Sequence, residues 1–293
     1  MAFAERELRF TFTGASGAPR YLQASGLRSV ANIQMYEGPI GVTAQVRVWG
    51  LTMAQMSRFS SKLTDAVGVD EYFLTIEAGD IGGQLTAIIA GSPIWRSYVD
   101  LSGAPESAFV VVCSGISRNA AMLAATYVQG SANAEDMIAA VCAGAGAMLI
   151  NNGAHAVVRN MHTYGSLTDQ ITTLAHSAKF RFKIEGSTVW IWPHDGKPDK
   201  VVIDVGPAMT SDGSKPIGNL VGYPTFYPSG IIVRTLFDTR FRVGRSINIS
   251  GSAATKANGS WKITQVEHEL ATMLHNGPWF TTIWAAPAGS SAS

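Results

Sequence analysis

Short stretches of alternating apolar and polar residues, each cut off by Gly, Pro or Asp, run through most of the sequence. A period of two puts successive side chains on opposite faces of an extended chain, so such stretches fold as half-buried strands. Phe10 and Phe12 alternate with Thr11 and Thr13 until the break at 14–19. Over 44–49, Val46 and Val48 share one face while Gln45, Arg47 and Trp49 share the other. Strands are likewise predicted over 72–78, 85–91, 94–101 and 107–116, and again over 201–205, 230–236, 246–251, 261–270 and 278–285. In the closing set, short strands joined by Gly and Pro turns point to a small barrel or sandwich.

The middle of the chain changes period. Asn133 is placed to cap a helix that ends near Gly144, with Glu135 and Asp136 in the first turn opposing the helix dipole. The apolar run 137–150 is too short for a bilayer, which takes about 20 residues, and reads as a buried core helix. Ser166 opens a second helix, with Asp169 in its first turn and Leu167, Ile171, Leu174, Ala175 and Ala178 on one face. Strict alternation follows: Phe180, Phe182 and Ile184 against Lys179, Arg181, Lys183 and Glu185. Gly186-Ser187 then turns the chain, and 188–192 pairs back as a hairpin. A further helix is expected from the cap at Thr52 to Leu63, burying Met53, Met56, Phe59 and Leu63. The fold class is therefore α+β and β-rich. The expected division is 1–117, strand-built with an inserted helix near 52–64; 118–197, helical with a hairpin; 198–287, strand-built; and a frayed tail at 288–293.

Composition narrows the function. A chain of 293 residues with 46% hydrophobic content is not a disordered scaffold. Charged residues make up 15%, against roughly 25% in ordinary soluble domains, which favours surfaces suited to permanent contact. The net charge of +1 supplies no overall surplus for gripping a phosphate backbone. Cys113 and Cys142 sit in apolar surroundings and read as small buried hydrophobes, as in a protein made in a reducing cytoplasm. The first ten residues carry Glu5 and Glu7 and lack the apolar core of a signal peptide, and no membrane insertion is expected.

Catalytic patterns fail one after another. His268-Glu269 opens an HExxH motif, but Thr272 stands where the second histidine belongs. Gly144-Ala145-Gly146 opens a dinucleotide fingerprint that breaks at Leu149, and Gly213-Ser214-Lys215 lacks the upstream glycine of a phosphate loop. The histidines at 155, 162, 176, 194, 268 and 275 show no helical pairing, so neither a metal nor a cofactor is expected. Asp65, Asp70, Glu71, Glu77 and Asp80 read as turn charges, although a glycosidase pair can be assembled from distant positions. Arg234, Arg240, Arg242 and Arg245 form a basic cluster within twelve positions. It suits a channel or partner contact, or a solvated strand edge on which positive charge blocks unwanted pairing. Trp279, Thr281 and Ile283 share a core face, as do Trp261 and Ile263. Trp190 and Trp192 lie opposite Val189 and Ile191; that strand needs cover on both faces, and one side suits an interface.

Three segments carry a resemblance. GSLTDQITTLAHSAKFRFKIEGSTVWIWP (165–193) resembles the middle domain of bacteriophage tail baseplate hub proteins, where a helix opening with a dQI-type sequence precedes a hairpin closed by proline. Residues 217–251 are similar to that family's GyP…G(I)…L(F)…(V)G pattern, and 258–270 to its closing strand. VRVWGLT (46–52), followed by the Met53 helix, resembles its first barrel. The resemblance implies two tube-type β-barrel domains joined by a small helical/hairpin middle domain. It further implies a homotrimeric ring adapting a sixfold tail tube to a threefold spike, with a bore for tape measure and DNA. The partners so implied are a second and third copy, the tail tube or distal tail protein, the central spike protein and baseplate wedge proteins. DNA would be met only in transit, and the location would be the virion tail baseplate. Two rival readings stay open: a tail-associated glycan or cell-wall hydrolase using the turn carboxylates, and a nucleic-acid-binding β-barrel protein using the arginines at 234–245.

Overall fold

The computed structural model describes residues 6–14, 21–60, 72–114, 122–209 and 217–288. Its contacts divide the chain into two units. The first is Met1–Gln34, Val42–Ser117 and His268–Trp279; the second is Met35–Gly41, Arg118–Glu267 and Phe280–Ser293. The fold is α+β and β-rich, as the alternation predicts.

The chain opens with β1 (Arg6–Gly14), β2 (Tyr21–Ala24), β3 (Ser29–Tyr36), β4 (Val42–Trp49), helix α1 (Met53–Phe59), β5 (Tyr72–Asp80), β6 (Thr86–Asp100) and β7 (Ala108–Ser114). In sheet order these run β3-β4-β7-β6-β5-β1-β2. Alternate residues Leu8, Phe10 and Phe12 on β1, Leu74 and Ile76 on β5, and Val46 and Val48 on β4 are fully buried. Phe12 packs on Phe59 and Phe109, with ring centroids 5.5 and 5.8 Å apart. Helix α1 thus lays its Met56–Phe59 face on the sheet. Thr52 caps it through a capping box with Gln55, as the sequence predicts.

Three expectations fail here. The helix stops at Phe59 because Ser60 turns extended, and Met53, expected in the buried stripe, is 53% exposed at the first turn. Leu63 lies outside the described residues. The strands expected at 85–91 and 94–101 are one continuous strand, β6. Its first half, up to Pro93 opposite Phe73, pairs with β5 and its second, from Ile94 opposite Cys113, pairs with β7, with register shifts over 87–92 and between Ile94 and Arg96. Proline has no N–H to give a ladder, and a change of partner is where a strand tolerates it.

The second unit continues with β8 (Met122–Tyr127), β9 (Ser131–Asn133), α2 (Ala134–Gly144), β10 (Met148–Asn151), β11 (Val157–Arg159), β12 (His162–Ser166), α3 (Leu167–Ala178), β13 (Phe180–Glu185) and β14 (Thr188–Pro193). Then come β15 (Val202–Val205), β16 (Thr225–Tyr227), β17 (Gly230–Leu236), β18 (Ser246–Ile249), β19 (Gly259–Thr272) and β20 (Trp279–Pro287), of which the end of β19 from His268 and Trp279 of β20 belong to the first unit. Helices α2 and α3 share one core with the hairpin, built from Ile138, Val141, Ile171, Leu174, Phe182, Ile184, Val189 and Ile191 among others. Ser166 caps α3 through a capping box with Asp169, and Lys179 ends it in the left-handed region. Asn133 sits at the cap position of α2, but its amide bonds Asp136 instead of a backbone N–H. The apolar run at 137–150 is not one helix. It turns after Gly144, and Met148–Asn151 forms β10, parallel to β14. The closing strands pair in the order β16-β17-β20-β19, with β18 beside β19 and β15 parallel to β18. The tail at 289–293 lies outside the described residues.

Candidate functional site

The predicted hairpin forms with Phe180, Phe182 and Ile184 facing the helices, but its charged face is not solvated. Arg181, Lys183 and Glu185 have side chains only 14%, 8% and 27% exposed. Residues 35–41 of the same unit cover that face. Gly38 donates to the Phe182 carbonyl at 2.8 Å, and the Arg181 guanidinium donates to both Glu37 oxygens at 3.0 and 3.1 Å. At Gly41 (φ +64) a Cβ would come 2.5 Å from the Ile184 carbonyl oxygen, so only glycine allows this approach.

The arginine cluster joins the same network. Glu185 Oε1 accepts from Lys183 Nζ at 2.9 Å and lies 3.9 Å from Arg242 Nη1. Burial alone would raise the Glu185 carboxyl; Lys183, Arg242 and Arg245 overcome this and hold it below the ordinary glutamate value. Burial pulls the Arg242 guanidinium below its ordinary value, while Glu185 opposes that shift. Arg245 Nε donates to Asp199 Oδ2 at 2.7 Å, and Arg240 Nη2 to Asp238 Oδ2 at 2.6 Å. Arg234 stands apart on β17, exposed, with its guanidinium 4.5 Å from the Phe280 ring centroid. Arg240, Arg242 and Arg245 therefore do not form an open anion fork, because each already meets a carboxylate. Arg242 reaches the hairpin through Glu185, whereas Arg245 meets Asp199 and Arg240 meets its near neighbour Asp238.

Trp192 also departs from expectation as an interface aromatic. It is fully enclosed by its own chain, with Gly244 and Pro198 beside it and Lys262 Nζ 5.9 Å from its ring. Burial pushes the Lys262 ammonium down to about 8, with Arg181 adding to the shift, and Lys262 Nζ donates to the Gly196 carbonyl at 2.9 Å. Trp190 is half-buried, beneath Lys183 Nζ at 5.1 Å. The second face of this strand is thus met by Lys183 at Trp190 and by Lys262, Pro198 and Gly244 at Trp192, while Glu37 and Asp199 engage Arg181 and Arg245; the sequence did not reveal the significance of Glu37, Asp199 and Lys262. Only their charge marked them, and nothing local pointed to their partners. Gln170 was missed for the same reason. It is fully buried in α3 and bonds Thr163 and the carbonyls of Ala124 and Gly165.

Of the turn carboxylates, Glu77 faces Arg9 across the β1–β5 ladder at 3.7 Å, and Asp80 ends β5; Asp65, Asp70 and Glu71 lie outside the described residues. Gly213-Ser214-Lys215 also lies outside them. Among the described residues no three His, Cys, Asp or Glu side chains gather as a metal site would require, and no helix is long and apolar enough to cross a membrane. Cys113 and Cys142 are buried, which pushes their thiols up to about 12 and about 11. The first unit holds one further feature, a cleft of about 490 Å³ lined by Arg28, Trp49, Leu51 and Glu106 among others.

No family model matches the sequence, and no curated protein does. Solved structures do. The tail protein from Neisseria meningitidis MC58 superposes with a TM-score of 0.64 at 8% identity, covering 96% of this chain and 97% of that one. The 43 kDa tail protein of prophage MuSo2 from Shewanella oneidensis gives 0.58 at 6% identity, over 95% and 96%. The E. coli c3393 protein gives 0.57 at 10% identity, over 94% and 76%; it is a type VI secretion component with structural similarity to the T4 bacteriophage tail proteins gp27 and gp5. Over nearly its whole length, this chain has the fold of these phage-tail and type VI secretion proteins.

Proposed function

We propose that this chain is a structural component of a phage-type tail, the hub of its baseplate, and not an enzyme. What carries the reading is the likeness to a tail protein that spans almost all of both chains. A fold matched end to end leaves little of this chain outside the shared architecture. The site geometry supports it as well, since the clustered charges neutralise one another inside the second unit instead of converging on a cleft. In this reading the chain forms a homotrimeric ring. Two strand-built domains per subunit, 1–117 and 198–287, double the threefold axis to meet a sixfold tube, and 118–197 joins them. A closed ring leaves no unsatisfied lateral interface. Its neighbours are the tail tube or distal tail protein, a central spike and wedge proteins, and its place is the virion tail. DNA passes through the bore without being held, which suits a chain of net charge +1.

Light scattering of the purified protein tests this. The expected mass is three times the 31.1 kDa of one chain, with threefold rings in negative stain. A monomer at every micromolar concentration tried overturns the hub reading.

A further inference from the structure

We propose that the cleft of the first unit is a docking site for an acidic peptide segment of a partner protein, with Arg28 as its anchor and Glu106 as the resident carboxylate that the segment displaces. At about 490 Å³ the cleft falls within the few hundred to one thousand Å³ usual for ligand pockets. Its walls come from residues 26–28 ahead of β3, 49–52 between β4 and α1, 105–107 ahead of β7, and Met273.

The Arg28 guanidinium lies 4.3 Å from the centroid of the Trp49 ring, which fixes its plane. Arg28 Nη2 donates to Glu106 Oε2 at 2.7 Å. Arg28 Nε–H is shielded from solvent and meets no acceptor among the described residues. A guanidinium offers two parallel donors to one carboxylate, and here half of that fork is used. Glu106 is poorly fitted to keep its place. Its side chain is 63% exposed, on the 101–107 turn, and exposed single-point ion pairs are weak. An entering carboxylate that displaces Glu106 and opens the shielded Nε–H takes both donors, replacing a one-armed contact with a two-armed one.

The apolar walls decide what carries that carboxylate. Leu27, Leu51, Pro105 and Met273 face the cleft, and Met273 is 71% exposed. An inorganic anion would leave these side chains uncovered, whereas a peptide with an apolar residue beside an acidic one satisfies both the fork and the walls. Gly26 borders open space that a peptide backbone can enter.

Calorimetric titration of the whole protein with N-acetyl-Phe-Glu-Ala-amide, its Gln analogue and inorganic phosphate tests this, with side-chain NMR of Arg28 Nε–H as a second readout. We expect saturable one-to-one binding of the Glu peptide, a shifted Arg28 Nε–H resonance, and at least tenfold weaker binding of both the Gln peptide and phosphate. Arg28→Lys keeps the charge but loses the fork, and should weaken the peptide about tenfold with unchanged thermal unfolding. Glu106→Gln should tighten it about two- to fivefold, because a weaker resident competes. Binding unchanged or weakened in Glu106→Gln overturns the proposal, as does a Gln peptide or phosphate that binds as well, or no saturation below about 10 mM. None of these outcomes depends on the oligomeric state, so the hub reading stands or falls separately.

Discussion

Replacing Glu185 with Gln removes one charge from the centre of the hairpin network while keeping its shape. In the wild-type chain this carboxylate meets Lys183 at 2.9 Å and Arg242 at 3.9 Å, and the three side chains are 27%, 8% and 19% exposed. Breaking a fully buried ion pair costs about 3–5 kcal/mol and an exposed one about 0–1 kcal/mol; this intermediate exposure places the loss near 2 kcal/mol. Since about 1.4 kcal/mol is tenfold, the opening equilibrium of the hairpin rises about thirtyfold. The pH dependence follows from the carboxyl being held below its ordinary 4.5: burial would raise it, but Lys183, Arg242 and Arg245 outweigh burial. A group depressed in the folded state contributes its full stability above the unfolded value and loses it as pH falls through the folded one. The wild-type advantage is therefore complete at neutral pH and shrinks on acidification below 4.5. Hydrogen exchange at the β13 and β14 amides, with urea unfolding at matched pH, reads both effects. Equal hairpin protection in the two proteins at neutral pH, or a gap that widens in acid, refutes the reasoning.

Ser166→Ala removes the capping box of α3 and should cost about 1 kcal/mol in chemical denaturation, because the first-turn N–H loses its acceptor. Gly41→Ala must force a Cβ against the Ile184 carbonyl at a positive φ, whereas Gly222→Ala meets nothing within 4 Å at a similar φ. The second should cost about 1 kcal/mol and the first clearly more, by thermal unfolding. Burial pushes Cys113 and Cys142 to about 12 and about 11, so both thiols stay protonated at neutral pH. Iodoacetamide should label neither until the chain is unfolded, and mass spectrometry checks this.

Local signals in the sequence determined the elements themselves. The alternation at 180–185, the caps at Thr52 and Ser166 and the apolar spacing of α3 act within a few residues, and each produced its element in the structure. Short strands such as β8, β9 and β11 carried no such pattern, because their residues are mostly exposed and no buried face imposed a period on them. Even where alternation was clear, it could say only that Lys183 and Glu185 point away from Phe182, not what waits on that side. The tertiary structure decided that. It brings Glu37 to Arg181 across 144 positions and encloses Trp192 against Gly244 and Pro198. It likewise sets the arginines at 240, 242 and 245, clustered in sequence, beside Asp238, Glu185 and Asp199. Periodicity is a property of neighbours along the chain, whereas the fate of a charge depends on which distant carboxylate the fold brings within about 4 Å.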